Sequence, residues 1–305
     1  MTSRWNRFFY EPLDTLPLAL CRIVHGVAAL LTAAFLFPER FVWFGDRGLI
    51  SLKTANAISI VPVTSLFHWV RDPEPWITPL LIAMMIAGTT LAIGFFTRTS
   101  AAIVFVLLMA LHHRTPMILN GADVLLRINS LFLAFSHAGA TLSVDHRLHP
   151  AQSAEQPPWA QRLMQLQLSV VYLGTVYWKL HGIAWIDGTA VYYVLSTAQF
   201  QHAGNGFFIP LVLSRIATWG TLIIEFASGS LIWIPRLRNV TIAAALLLHI
   251  GLEIAINVPL FQWLMIGSLL LFIDPADLRR TSARCPVPSA QRPAPSAQRP
   301  VPSDP

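Results

Sequence analysis

About eight predominantly apolar stretches, most of them close to the length that crosses a bilayer, recur along this chain. They leave it few ways to fold. A transmembrane helix needs roughly twenty such residues. The stretches lie near 17–37, 76–96, 99–118, 121–136, 162–181, 210–234, 239–255 and 258–274. Only 12% of the 305 residues are charged and 54% are hydrophobic. A soluble domain carries about 25% charged residues, so the surface of this chain does not mostly face water. The reading is an integral membrane protein, all-α, a polytopic bundle of about eight spans.

The runs differ in character. The fourth is short and holds Asp123 and Arg127, which suits a half-span buried among neighbours. Between the first two lies a mixed segment, 38–75. Its apolar part, "LISLKTANAISIVPVTSL" at 49–66, contains Lys53, Asn56 and Pro62 and suits a membrane-edge or re-entrant piece. The run from Pro17 to Phe37 exceeds the 7–15 residues of a cleavable signal core, so it reads as the first span. From 281 to 305 the chain is rich in Pro, Ser and Gln, and "PSAQRP" recurs at 288–293 and 295–300. Such sequence cannot bury a core and is expected to be a disordered tail after a membrane domain covering 1–280.

Charge placement orients the bundle. With Arg4 and Arg7 in the cytoplasm, eight spans bring Arg98, Arg147, Arg236, Arg238, Arg279, Arg280 and Arg284 to the same side. The loop 182–209 then lies outside and has no Lys or Arg; the segment 38–75 is the exception. Both termini are expected in the cytoplasm of a cell-membrane protein. The basic residues are scattered and form no patch for nucleic acid. Cys21 and Cys285 lie far apart and define neither a disulfide framework nor a metal site.

Ionisable residues inside a membrane are costly and usually face the bundle interior. Here they are numerous: Arg22 and His25, His112 and His113, Asp123 and Arg127, Lys179 and His181, Glu225, and His249 with Glu253. Arg22, near a helix start, either snorkels to the surface or acts inside. Asp123 and Arg127, four apart, have the spacing of a helical ion pair. His249 and Glu253 share a face and suit a hydrogen-bonded pair that orients something; with Glu225 they make an incomplete metal set, and no metal is expected. One of His112 and His113 is a candidate ligand contact.

Lys179 stands out within "VYWKLHGIAWIDG", 176–188. Tyr177 and Trp178 precede it; Trp185 and Asp187 follow. Lysine beside Tyr and Trp is a common interface anchor. A lysine kept neutral in a dry, ring-lined pocket is instead a competent general base. On the second reading Tyr177, Trp178 and Trp185 shape the pocket, and Asp187 tunes the amine.

"YWKLHGIAWIDGTAVYY" resembles the lysine segment of the vitamin K-dependent gamma-carboxylases. "NGADVLLRINSLFLAFSHAGATLSVD" is similar to their span ending in a Ser-Val-Asp turn, "LALCRIVHG" to their first-span arginine, and "LLHIGLEIAINVPLFQWLMIGSLLLF" to a late histidine-bearing span. The chain is identified as a member of the horizontally transferred transmembrane domain family over roughly 5–275. That resemblance implies Lys179 as the base that deprotonates a reduced, vitamin K-like quinone on the outer side. Arg22, His112, His113, Asp123, His249 and Glu253, with Tyr177, Trp178 and Trp185, are then the candidate substrate contacts. A carboxylase histidine falls on Ala122 here, and the large extramembrane domain of the carboxylases has no counterpart. The expected partners are the bilayer and either a lipid-phase small molecule or a secreted peptide, since one branch of the family acts in peptide-toxin maturation. The alternatives are a transporter, which intramembrane charge also suits, and an accessory protein for peptide maturation or export.

The topology has a direct check. A single cysteine placed at Ser196, in a chain freed of Cys21 and Cys285, is expected to react with a membrane-impermeant maleimide in intact cells. Labelling only after permeabilisation reverses the orientation.

Overall fold

The computed structural model describes residues 3–58, 74–151, 153–202 and 209–284. Eight principal helices carry the fold: α1 Leu16–Leu36, α2 Glu74–Ile93, α3 Thr97–Arg114, α4 Gly121–Phe135, α5 Trp159–Lys179, α6 Leu211–Gly229, α7 Pro235–Ala255 and α8 Phe261–Leu269. The last continues as a 3-10 turn, Leu270–Phe272. Each expected span falls on one of these helices, so the chain is a helical bundle. Four of them, α1, α2, α6 and α7, are long and apolar enough to cross a membrane. With 15 residues, α4 extends about 22 Å, short of a hydrocarbon core of about 30 Å, as expected for a half-span. Its start is fixed by a capping box between Asn120 and Asp123.

Short helices decorate the ends. Of the segment read as a membrane-edge piece, 52–58 form a helix, Leu52–Ile58, and 59–66 lie outside the described residues. A helix, Pro275–Arg284, takes in the first four residues of the expected tail; 285–305, with Cys285 and both "PSAQRP" repeats, also lie outside them. Leu13–Asp14 pairs antiparallel with Glu155–Gln156.

Packing of α1 on α2 depends on small residues. A side chain at Gly26 would strike the backbone of Ala92, and one at Gly88 would meet the backbone of Leu30. Close backbone approach of this kind is how helices associate where lipid removes the hydrophobic drive. The outward faces are apolar: Val212, Ile216, Ile223 and Phe226 on α6, and Val240, Leu247, Ile250 and Ile254 on α7, are exposed. The inward face of α6 is the reverse. Ser214, Thr218, Thr221, Glu225 and Ser228 are all buried and recur at helical spacing. A water-soluble helix would show the opposite arrangement.

One corner ties four segments together. Arg22 is fully buried. Its Nη1 donates to the carbonyls of Leu91 and Ala92 at 2.6 and 2.9 Å, and its Nη2 to Leu142 O at 2.7 Å. The last carbonyls of a helix lack intrahelical partners and carry its negative end, so Arg22 caps α2. Gly94, at φ +73°, makes the tight turn that follows; a side chain there would run into Arg22 and Ser143. Asp145 caps the start of α3, accepting from Phe96 N and Thr97 N at 2.8 Å each and from Thr97 Oγ1 at 2.7 Å. Burial works to raise the Asp145 carboxyl, but these hydrogen bonds and the nearby Arg22 guanidinium outweigh it and hold the group below the usual carboxylate range. Arg22 therefore does not snorkel to the surface: the free carbonyls of α2 take its guanidinium.

Because the Asp145 pKa is depressed on folding, its stabilisation is complete above the ordinary carboxylate range. It is lost as pH falls through the lowered value. Asp145→Asn is expected to cost about 1–3 kcal/mol at neutral pH. It should also flatten the acid limb of a melting-temperature-versus-pH curve recorded in detergent. An unchanged acid limb removes Asp145 as the corner's acid-sensitive contact.

Candidate functional site

The buried face of α5 is a polar stripe. Gln161 and Gln165 both donate to Leu271 O, at 2.9 and 2.7 Å, in the 3-10 turn that follows α8. Ser169 accepts from Trp233 Nε1 at 2.9 Å. Two turns and one turn before Lys179 come Tyr172 and Thr175, on the same side of the helix. Tyr172 Oη lies 2.7 Å from His249 Nε2, and His249 Nδ1 lies 2.6 Å from Gln262 Oε1. An amide oxygen only accepts, so the imidazole proton sits on Nδ1 and Tyr172 donates to Nε2. All three side chains are buried.

At the end of the stripe Lys179 Nζ lies 2.5 Å from Glu225 Oε1. The Lys179 side chain is 23% exposed and that of Glu225 11%. Thr175 Oγ1 donates its one proton to Tyr172 O at 2.8 Å and lies 3.5 Å from Glu225 Oε2. Trp185 places its ring 4.6 Å from the amine, an approach that is favourable for a cation. Gly182 makes this possible: its turn returns Trp185 toward the end of α5, with Trp185 N donating to Gly182 O at 3.0 Å.

The other expected neighbours of Lys179 sit elsewhere. Tyr177 and Trp178 are 57% and 74% exposed and pack on each other and on His181. Asp187 is exposed and accepts from Thr189 Oγ1 and N at 2.6 and 2.9 Å, which holds its carboxyl below the usual range. The amine is thus neither enclosed by three rings nor tuned by Asp187. It faces one ring and one carboxylate, and that carboxylate comes from α6.

His249 and Glu253, expected as a pair, part company. His249 joins Tyr172 and Gln262, while Glu253 Oε1 accepts from Trp263 Nε1 at 2.9 Å. Glu253 belongs to a second feature, an apolar cavity of about 830 Å³ along α1, closed by the ends of α3 and α7 and the starts of α4 and α8. His112 and Asp123 also line it; His113, half-buried, does not. His112 Nε2 lies 3.9 Å from Asp123 Oδ1. Asp123 meanwhile accepts from Asn120 N at 2.9 Å. Ala122, where a carboxylase has histidine, is buried beside it.

Lysine site and cavity lie at one end of the bundle. His202 Nε2 is 3.1 Å from Glu253 O, and Asn257 N donates to Phe200 O at 2.8 Å, tying the segment after Lys179 to the turn between α7 and α8. Tyr172, Thr175 and Gln262 are the participants that the sequence did not single out for a site, and Glu225, considered with His249 and Glu253, pairs with Lys179 instead. For Tyr172 and Thr175 a signal existed, their i, i+3, i+7 spacing to Lys179.

The HTTM domain family model matches residues 10–276. An uncharacterized protein, YitO, of Bacillus subtilis (strain 168) is 32% identical over 124 residues, 38% of this chain and 39% of that protein. The sporulation-delaying protein SdpB of the same strain is 28% identical over 130 residues, 40% of each chain. The chain therefore spans about two fifths of the length of the curated relatives it matches. No solved structure matches.

An interhelical ion pair here makes a specific demand on stability. Lys179→Met leaves a carboxylate without its cation and Glu225→Gln a cation without its anion, each at an expected cost of about 1–3 kcal/mol. The double variant is expected to recover part of the summed loss. Melting of the four proteins in one detergent gives the coupling; strict additivity dissolves the pair.

Proposed function

Given that this chain belongs to the HTTM domain family, a multi-pass membrane family whose model covers 10–276, we propose that it is a membrane enzyme in which Lys179 takes a proton from a lipid-phase substrate. The observation that carries the reading is the Lys179–Glu225 pair, 2.5 Å apart at the end of a buried polar stripe. Shifting the ammonium proton to the carboxylate frees the nitrogen lone pair without moving net charge across the site. The amine then accepts a substrate proton and ends as ammonium beside a neutral Glu225 acid. Carboxylate and amine together make the base. Tyr172, His249 and Gln262 hold the adjoining helices in register.

The resemblance to the vitamin K-dependent carboxylases makes a reduced quinone the leading substrate. The residues present fit one: the amine remains partly exposed, with the face of Trp185 beside it for a flat ring. When bound, a reduced quinone supplies an acidic ring hydroxyl and two reducing equivalents. The site then lies at the outer face of the cell membrane, with both termini in the cytoplasm, as the arginine placement favours.

A second reading draws on the similarity to SdpB, whose name ties it to sporulation delay. In it the chain serves the maturation or export of a secreted peptide without chemistry, and Lys179 with the exposed Tyr177 and Trp178 anchors the outer rim.

Reconstituted in nanodiscs with oxygen and a reduced isoprenyl naphthoquinone, the protein is expected to consume the quinol. Lys179→Ala should lower the rate by about a hundredfold or more, the scale of general base catalysis, and Lys179→Arg should not rescue it. Full wild-type rates in both variants end the base reading. An intact peptide-dependent phenotype in both variants favours the second.

A further inference from the structure

At the end of the bundle away from Lys179, two arginines have no carboxylate partner among the described residues. Arg162 is the fourth residue of α5 and Arg238 the fourth of α7, and about 25 Å of α5 separates this end from the amine. A cation in the first turn opposes the helix dipole, which favours an acid there. Neither helix has an acid in its first turn, and neither start is closed by a capping side chain. The two charges also repel each other. Acids at this end are engaged elsewhere: Asp14 with Arg279 at 2.5 Å, Glu11 with Arg7 at 3.9 Å, and Asp145 at the start of α3. Arg22 gives the contrast, since backbone carbonyls consume its guanidinium.

The pair is held in place with its forks open. Phe8 lies under the Arg162 guanidinium, which is 4.7 Å from the ring centroid. The Phe8 carbonyl accepts from Arg162 Nε at 3.2 Å and Gln165 Oε1 accepts from Nη1 at 2.9 Å, which leaves Nη2 unpaired and accessible. Arg238 continues the inward face of α7 that Thr241, Ile242 and Ala245 form. Its Nε is buried without a partner, while its terminal nitrogens, also unpaired among the described residues, reach the surface. Trp233, just before α7, fixes the two helix starts side by side: its Nε1 donates to Ser169 of α5 at 2.9 Å, and its ring lies 5.9 Å from that of Phe8.

Apolar surface descends from this corner. Leu166 and Val170 follow Arg162 at intervals of about one turn and are exposed, as are Ile234 and Leu237 beside Arg238. Trp5 and Tyr10, exposed on the N-terminal helix Arg4–Tyr10, supply the aromatic residues of a membrane boundary. A guanidinium is a planar fork that matches two phosphate oxygens. Two such forks above lipid-facing aliphatic side chains suit a phosphate tethered to acyl chains better than a free one. A zwitterionic head would bring its own cation against the arginines; an anionic head brings none. We propose that Arg162 and Arg238 together bind the phosphate of one anionic phospholipid, its chains lying along Leu166 and Val170 of α5. The inference does not rest on the role of Lys179.

The test follows melting of the full chain in a neutral detergent with phosphatidylglycerol, phosphatidylcholine or inorganic phosphate added, and counts retained lipid by native mass spectrometry. Phosphatidylglycerol is expected to raise the melting temperature and to stay bound as a single molecule; the other two, at equal concentration, do neither. Arg238→Gln removes a charge whose side chain makes no hydrogen bond, so without lipid it should melt no lower than the unsubstituted protein. It should nevertheless need about tenfold more phosphatidylglycerol for the same rise, the scale of one hydrogen bond to a charged group. Arg162→Gln should weaken the lipid response to a similar degree. Arg147→Gln, which removes an exposed charge from the same end, should leave it unchanged. Equal stabilisation by phosphatidylcholine or by free phosphate overturns the proposal, and so does an equal loss of the phosphatidylglycerol response in Arg238→Gln and Arg147→Gln.

Discussion

In a hydrocarbon solvent no water is present to satisfy a polar group, and the bundle is organised around that single demand. Carbonyls at the end of α2 are closed by Arg22, that of Leu271 in the turn after α8 by Gln161 and Gln165, and the amides opening α3 by Asp145. In each case a side chain from a distant segment completes a helix terminus. The same interactions therefore fix tertiary arrangement and secondary structure together. They also explain why a protein with so few charges places several of them inside: the buried guanidinium of Arg22 is a structural plug.

The same demand makes the Lys179–Glu225 pair informative. Holding two charges away from water is expensive, and a well-packed apolar pair of similar volume often serves stability better. Trp185 recovers part of the cost, but the end of α5 already lies near the rim, where a lone lysine could reach water by snorkelling. Glu225 gains nothing of that kind from its place on α6. That acid, four residues from Thr221 and three from Ser228 on a uniformly polar inward face, is held there by its pairing with Lys179.

How far the sequence disclosed this depends on whether a feature is local. Hydrophobic runs are local, and all eight fall on helices. The short α4 and its Asn120 start were also legible, since Asn–x–x–Asp is a helix-opening pattern. Side-chain direction around one helix was legible in principle, and here adjacency misled. Successive residues turn by about 100°, so Tyr177 and Trp178, beside Lys179 in the chain, face away from it. Tyr172 and Thr175, seven and four residues back, share its face. The Glu225 partner was not legible, because it depends on the axial register of α6 against α5, which no pattern within either helix encodes. Separation of His249 from Glu253 has the same origin: Gln262 and Trp263 on α8 compete for them, and α8 is brought alongside by a turn with Leu260 in the left-handed region.

That turn also joins the two candidate sites. Gln262 holds His249 on the lysine side, and its neighbour Trp263 holds Glu253 on the cavity side. Two consecutive residues at the start of one helix thus bond to two residues one turn apart on α7. A change that drew Glu253 away from Trp263 would disturb the first turn of α8, and with it the Gln262–His249–Tyr172 chain. The bonds involved are short and few: 2.9 Å for Trp263 to Glu253, 2.6 Å for His249 and Gln262, and 2.7 Å for Tyr172 and His249. Cavity and lysine site are in this way linked through α8, although Lys179 is not among the residues that line the cavity.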